Sequence, residues 1–211
     1  MKILKRYFLI NTLFVISILL LSNCSTVSVS IAENKEQIQS IHKVAIIPFD
    51  FKGKENIGYE FANSLSIYFI QNNRIEIVER NKNQLDKIIQ EQKFSRSGLI
   101  DEDTAAEMGK ILGVDAILIG EGEAMTLGES KDIVNKFKLK LINVENGVII
   151  LGVIKNPGVE WTPGMVFKYI VGFTYIWNKS DLLVQSSHPD FISEVTVKKV
   201  LSAIGKVERK K

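Results

Sequence analysis

Cysteine is nearly absent from this chain of 211 residues, which has one, Cys24, and therefore no disulfide bond within the chain. Histidine is scarce too, and neither His42 nor His188 has an acidic residue at the spacing of a metal site or a catalytic triad. The net charge of +3 comes from residues 1–23, which contain no acidic residue, so the remainder of the chain is neutral. These absences predict an ordinary hydrophobic core and argue against nucleic-acid binding.

Motifs that carry chemistry are also missing. Gly120-Glu-Gly122 has neither the third glycine nor the lysine of a phosphate-binding loop. Asp101, Glu102 and Asp103 resemble a metal site, but helix capping and the helix dipole explain all three acids. Because no nucleophile, base or metal cluster is present, we expect a protein that is not an enzyme and has no cofactor.

The amino terminus has the clearest targeting pattern. A basic start precedes a short apolar run that ends at Cys24, which is typical of a lipoprotein signal peptide over residues 1–23. We therefore predict that Cys24 becomes the lipid-bearing first residue of the mature chain. An uncleaved anchor or an ordinary secretory signal is the alternative. Acyl chains contribute about 0.8 kcal/mol per buried CH₂, so such an anchor holds a domain on a membrane.

The remainder divides into a tether and a domain. Residues 24–40 are polar and lack sustained apolar periodicity, which predicts a flexible tether. Residues 41–207 alternate buried-strand and amphipathic-helix patterns, with a hairpin turn at Asn146-Gly147. Strands are expected at 42–49, 75–78, 114–120, 136–141 and 148–153, and helices near 57–68, 85–89, 101–113 and from Asp190. The predicted fold is α/β, a mixed sheet with flanking helices in a two- or three-layer sandwich that leaves room for one protruding β-hairpin.

An aromatic column distinguishes residues 157–187, which we predict to be an amphipathic hairpin insertion. Apolar side chains occupy every second position from 165 to 177, a longer run than the five or six residues of a typical strand. A long core strand or a helical segment is the alternative. The residues predicted to contact membrane or other subunits are Trp161, Phe167, Tyr169, Phe173, Tyr175 and Trp177.

Several segments, taken in order, carry a family resemblance. Residues 44–49, 77–80, 97–101, 113–116 and 141–147 resemble the CsgG-like family of curli secretion-channel lipoproteins. The resemblance implies an outer-membrane lipoprotein whose periplasmic α/β domain assembles into rings, each subunit adding two amphipathic hairpins to a pore. It also includes relatives without a channel, among them activators of cell-wall synthases.

One hairpin of the channel pattern is missing. About sixteen residues, many of them charged, separate Gly120 from Phe137, which predicts a loop rather than a membrane-crossing hairpin. The main prediction is a lipid-anchored, homo-oligomeric component of protein export on the periplasmic face of the outer membrane, with an exported polypeptide as its partner. The alternative is a periplasmic scaffold or regulator without a pore, such as an activator of cell-wall synthesis, that binds a protein partner.

Overall fold

The structure is a computed structural model that describes residues 25–32, 35–72, 75–78, 102–127, 131–162, 164–165 and 179–209. In chain order the elements are β1 (Val27–Ile31), α1 (Lys35–Gln39), β2 (Lys43–Ile46), β3 (Asp50–Phe51), α2 (Glu55–Ile70), β4 (Glu76–Val78), α3 (Glu102–Leu112), β5 (Ala116–Leu127), β6 (Lys131–Asn143), β7 (Ile149–Lys155), α4 (Lys179–Ser187) and α5 (Pro189–Arg209).

Within the described residues, the strands form one mixed sheet of seven, in the order β1-β7-β6-β5-β2-β4, with β3 paired to β5. The run from β1 to β5 is antiparallel, whereas β2, β3 and β4 join in parallel. Buried strands with continuous apolar runs suit the parallel part, and strands that alternate apolar and charged residues suit the antiparallel part. The predicted mixed α/β fold is confirmed.

Helices cover the sheet on two sides. On one side Phe61 of α2 is fully buried, and its ring lies 5.4 Å from that of Phe49 and 4.9 Å from that of Phe137. Helix α5 packs beside α2 over the same face. On the other side Met108 of α3 packs with Ile117 and other apolar side chains in a second cluster. The sheet is therefore enclosed from both sides where α3 lies.

Most predicted elements of the domain are confirmed. Helix α3 ends at a glycine, Gly113, whose φ of +68° closes the helix in the left-handed region. Gly147, with a φ of +69°, forms the turn between β6 and β7. The helix predicted near 85–89, and Asp101, lie outside the described residues.

The prediction of a flexible tether is wrong for residues 27–31. These residues form β1, which pairs with β7 from Val27↔Lys155 to Ile31↔Leu151. Val27 is buried in the main core, while Ser28 and Ser30 are exposed. The period-two alternation of a strand is present, but its serines lower the mean hydropathy and make the segment resemble a linker.

The predicted loop between Gly120 and Phe137 is also wrong, because β5 and β6 continue through it as a hairpin. Their pairing extends to Leu127↔Lys131, with a register shift between Glu123 and Ala124. The charged residues are compatible with strands because they pair with each other: Lys136 Nζ lies 2.8 Å from Glu123 Oε1.

The predicted hairpin insertion over residues 157–187 lies largely outside the described residues. At its end the structure has helix α4 rather than a strand. Within the part of the chain that the structure describes, no helix is both long enough and apolar enough to span a membrane.

Candidate functional site

A buried carboxylate joins the amino-terminal segment to the domain. Glu160 is 1% exposed and follows β7 in the segment that leads toward α4. Its Oε2 accepts hydrogen bonds from the backbone N–H and the hydroxyl of Thr26, both at 2.6 Å, and a weaker one from the N–H of Val27 at 3.2 Å. Its Oε1 accepts one from the Ser25 hydroxyl at 3.0 Å. These bonds hold the chain immediately before β1.

A lysine on α5 completes this arrangement. Lys199 Nζ donates to Glu160 Oε1 at 2.6 Å and to the carbonyl oxygen of Val27 at 3.1 Å, and it also contacts the Ser25 hydroxyl. Burial by itself raises the pKa of Glu160, but the hydrogen bonds from Lys199 and Thr26 outweigh it and hold that pKa below its usual value. We call Ser25, Thr26, Glu160 and Lys199 the amino-terminal clamp.

A second buried cation lies beside the clamp. Lys155, at the end of β7, is 1% exposed and donates to the carbonyl oxygen of Asn135 at 2.9 Å. Burial lowers its pKa to about 8, although the negative charge of Glu160 acts in the opposite direction. The ammonium form is therefore less stable here than in water, although it still predominates below about pH 8.

The clamp acts on the residues next to the predicted lipid attachment point. Ser25 directly follows Cys24, which itself lies outside the described residues. Because Ser25 and Thr26 are hydrogen-bonded to Glu160 and Val27 enters the sheet, the domain begins without an intervening flexible segment. A lipid on Cys24 would thus be attached almost directly to the folded domain.

A second candidate site is an open part of the sheet. Four paired residues form one row of side chains on one face of the sheet. They are Ser28 on β1, Ile154 on β7, Lys138 on β6 and Glu121 on β5. Ile154 is 45% exposed, and Ser28 and Lys138 are exposed as well. In the next row a Cβ added to Gly152 would meet no atom within 4 Å. We call Ser28, Ser30, Lys138, Gly152 and Ile154 the open sheet face.

The hairpin of β5 and β6 has its own polar contact near its end. Lys54, just before α2, donates to Asp132 Oδ1 at 2.8 Å and to the hydroxyl of Thr126 at 2.9 Å. The hydrogen bonds from Lys54 and Thr126 lower the pKa of Asp132. These contacts fix the hairpin against the beginning of α2.

Of the aromatic residues predicted to contact membrane or other subunits, Trp161 is partly buried directly after Glu160. The other five lie outside the described residues, namely Phe167, Tyr169, Phe173, Tyr175 and Trp177. Sequence reasoning missed Glu160, Lys155 and Lys199. Nothing in their local sequence singles them out, because strand pairing and helix packing bring them together from distant positions.

The described residues contain no group of three or more histidine, cysteine or acidic side chains placed to hold a metal ion. A cavity of about 30 Å³ lies between the sheet, α2 and α5, with Val44, Leu65 and Val200 among its apolar lining residues. That volume is about the size of a water molecule.

Comparison with known proteins finds one matching family and several structures of low similarity. The family model of the peptidoglycan-synthase activator LpoB matches residues 27–151, more than half of the chain. No curated protein matches the sequence. The PelC dodecamer from Paraburkholderia phytofirmans is similar at 11% identity and a TM-score of 0.46, covering 84% of this chain and 95% of that one. The LpoB C-terminal domain from Escherichia coli is similar at 17% identity and a TM-score of 0.36, covering 55% and 83%. At these scores the structural likenesses carry no argument about function.

The resemblance to the CsgG-like family, and with it the curli secretion channel as the main function, is wrong, because the matching family is a different one. The residues behind that resemblance are core and turn residues, such as the buried Val44 and Ala45 and the left-handed Gly113 and Gly147. Residues of this kind specify how the domain packs, and they do not distinguish among functions built on one fold. The chain belongs to the family of the peptidoglycan-synthase activator LpoB.

Proposed function

We propose that this protein is a lipid-anchored activator of a peptidoglycan synthase. The observation that carries the proposal is the match of the LpoB family over residues 27–151, which include β1 through the first part of β7. The activity belongs to the synthase, so this chain needs no catalytic residues of its own. Its contribution is a binding surface.

We place the lipid on Cys24 and the domain on the periplasmic face of the outer membrane. The signal-peptide pattern of residues 1–23 supports the lipid, and the cell wall is the location where a synthase partner works. Self-association of the domain, and contact of Trp161 and the aromatic residues 167–177 with membrane or other copies, stay separate predictions. Light scattering of the lipidated protein in mild detergent tests the first of these.

Activation without catalysis follows from differential binding. A ligand shifts a conformational equilibrium only by the difference in its affinity for the two states. A tenfold increase in the active population of a mostly inactive synthase requires about 1.4 kcal/mol of preferential binding to the active state. A single well-packed interface supplies that amount.

We propose the open sheet face as the surface that binds the synthase. Its β1 and β6 residues lie inside the segment that defines the family, and Ile154 provides an exposed apolar side chain among small and polar neighbours. Interfaces of this kind bury a central apolar residue inside a polar rim. The occupant we assign to this face is a periplasmic domain of the synthase.

The test is reconstitution with purified components. The lipidated protein is mixed in detergent with each peptidoglycan synthase of the same bacterium, and glycan polymerisation and crosslinking are followed from a labelled lipid-linked precursor. We expect a faster rate with one synthase and saturable binding to it. If no synthase binds the protein or changes its rate, the proposed function is wrong.

A further inference from the structure

The hairpin of β5 and β6 extends past the rest of the sheet on the side where the chain enters β1. Val27, the first residue of β1, pairs with Lys155, Lys155 pairs with Phe137, and Phe137 pairs with Gly122, so these four residues mark one level across the sheet. Beyond that level β1 and β7 end, whereas β5 continues to Leu127 and β6 begins at Lys131. At about 3.4 Å per residue, the hairpin projects about 17 Å.

The anchor has a shorter reach than the hairpin. Cys24 precedes Val27 by three residues, which span at most about 10 Å when fully extended. Ser25 and Thr26 are moreover hydrogen-bonded to Glu160, so they do not increase the reach of Cys24. A lipid on Cys24 therefore lies at or below the level of the hairpin end, not above it.

We propose that the outermost described residues of this hairpin, residues 125–127 on β5 and Lys131 on β6, contact the headgroup layer of the bilayer in which the Cys24 lipid is inserted. This inference rests on the proposed lipid anchor. Acyl chains on Cys24 enter a bilayer only where its surface comes within about 10 Å of the Val27 level, and the hairpin projects farther than that on the same side. The clamp thus limits how far the domain can lie from the bilayer.

The side chains at the hairpin end suit a lipid headgroup layer. Met125 is 38% exposed, and Leu127 is partly exposed in the last described pair of the hairpin, with Lys131. Lys131 is exposed and basic, and Asp132, which would be repelled by anionic lipid, is neutralised by Lys54 at 2.8 Å. Apolar side chains flanked by lysine are typical of segments that lie at a membrane surface.

Fluorescence quenching measures this contact in the full lipidated chain. Cys24 is the single cysteine and its thiol is occupied in the lipidated protein, so Met125→Cys provides one reactive thiol for an environment-sensitive fluorophore. The protein is reconstituted in vesicles of phosphatidylethanolamine and phosphatidylglycerol that contain a headgroup spin-labelled lipid. Val148→Cys is the matched control, because Val148 is 45% exposed beside the β6–β7 turn at the opposite end of the sheet.

We expect a blue shift and quenching at position 125 and neither at position 148. A flexible Gly/Ser insertion of twenty residues between Cys24 and Ser25, with an r.m.s. span of about 25 Å, should abolish the quenching while the protein stays on the vesicles.

Co-sedimentation with the vesicles separates the possible failures. If the protein sediments but shows no quenching at position 125, the inference is wrong and the proposed function is unaffected. That result is expected if the bilayer lies along the β1 edge. Quenching that persists with the long insertion overturns the role of the short anchor. If the protein does not sediment, the lipid anchor itself is contradicted, and membrane attachment is removed from both proposals.

Discussion

At the scale of single residues, Glu160 connects charge to architecture. It accepts hydrogen bonds from three consecutive residues, Ser25, Thr26 and Val27, while forming a 2.6 Å ion pair with Lys199. A buried carboxylate is costly to desolvate, and it is stable here because its hydrogen-bond donors include a cation. Glu160 therefore fixes the position of the residues at which the edge strand β1 begins.

Glu160→Gln should destabilise the protein and release the segment before β1. The amide keeps the shape of the side chain but removes the charge, so Lys199, with 30% of its side chain exposed, loses its counter-ion. We expect a loss of about 2 kcal/mol in the free energy of unfolding. Breaking a fully buried ion pair costs about 3–5 kcal/mol, and the loss is smaller here because Lys199 is partly solvated. Urea unfolding and amide hydrogen exchange of β1 measure both effects.

The ion pair of Lys198, the neighbour of Lys199 on α5, provides a matched control. Glu194→Gln breaks the ion pair with Lys198, whose side chain is 71% exposed, and exposed pairs at this spacing contribute about 0.3–0.5 kcal/mol. Equal losses for the two variants would show that the burial of Glu160 has no energetic role.

Lys155 predicts a specific dependence of stability on alkaline pH. Its pKa is about 8 in the fold, against 10.5 ordinarily, so between these values the unfolded chain binds a proton that the folded chain has released. Stability contributed by this group therefore rises with pH in that window, by at most about 1.4 kcal/mol per pH unit. Urea unfolding of the wild type and of Lys155→Met should diverge accordingly, and parallel curves would contradict the assignment.

Residue-level prediction from the sequence had a clear limit. Cys24 is recognisable because a signal peptide is a local pattern, and its lipidation stays a prediction. Glu160 and Lys199 are 39 positions apart and meet only after β1, β7 and α5 are assembled. A buried ion pair between distant residues has no periodicity, so composition and spacing do not indicate it.

At the scale of elements, α2 lies unusually close to the chain after β2. A Cβ built on Gly58 would lie 1.9 Å from the carbonyl oxygen of Phe49, which is backbone and has no rotamer to change. The close approach brings Phe61 of the same helix against the ring of Phe49. Glycine at this helix position is therefore a packing requirement.

Gly58→Ala should destabilise the protein by about 2–3 kcal/mol, because α2 must shift to admit the methyl group. Gly205→Ala in α5 is the matched control, since a Cβ there would meet no atom within 4 Å. At that position the higher helix propensity of alanine should stabilise by about 0.5–1 kcal/mol. Thermal unfolding of both variants measures the difference, and the expectation fails if they change the melting temperature in the same direction.

The success of element prediction followed the strength of the periodic signal. Helices α3 and α5 and the β6–β7 turn have regular apolar spacing or a glycine at a left-handed position, and all were predictable. Strand β1 was missed because it is a sheet edge with an exposed serine at every second position. The β5–β6 hairpin was missed because its charged residues pair across strands, which a single strand's sequence does not show.

At the scale of the whole molecule, the proposals place two partners on different parts of one sheet. The hairpin end and the clamp lie toward the proposed bilayer, and the open sheet face lies to one side of β1 and β7. With the proposed lipid on Cys24, three residues before the start of β1 at Val27, the domain would stay close to its membrane, and a synthase would have to present its binding domain there.

Ile154→Glu should weaken synthase activation without unfolding the protein. Ile154 is 45% exposed, so the substitution changes the free energy of unfolding by no more than about 0.5 kcal/mol. A charge placed at the apolar centre of an interface typically costs 2 kcal/mol or more, which weakens binding about thirtyfold. Ile67→Glu is the control, because Ile67 is 47% exposed on α2, away from the open sheet face. Binding and polymerisation assays should distinguish the two variants. If both activate the synthase equally, the open sheet face is not the surface that binds it.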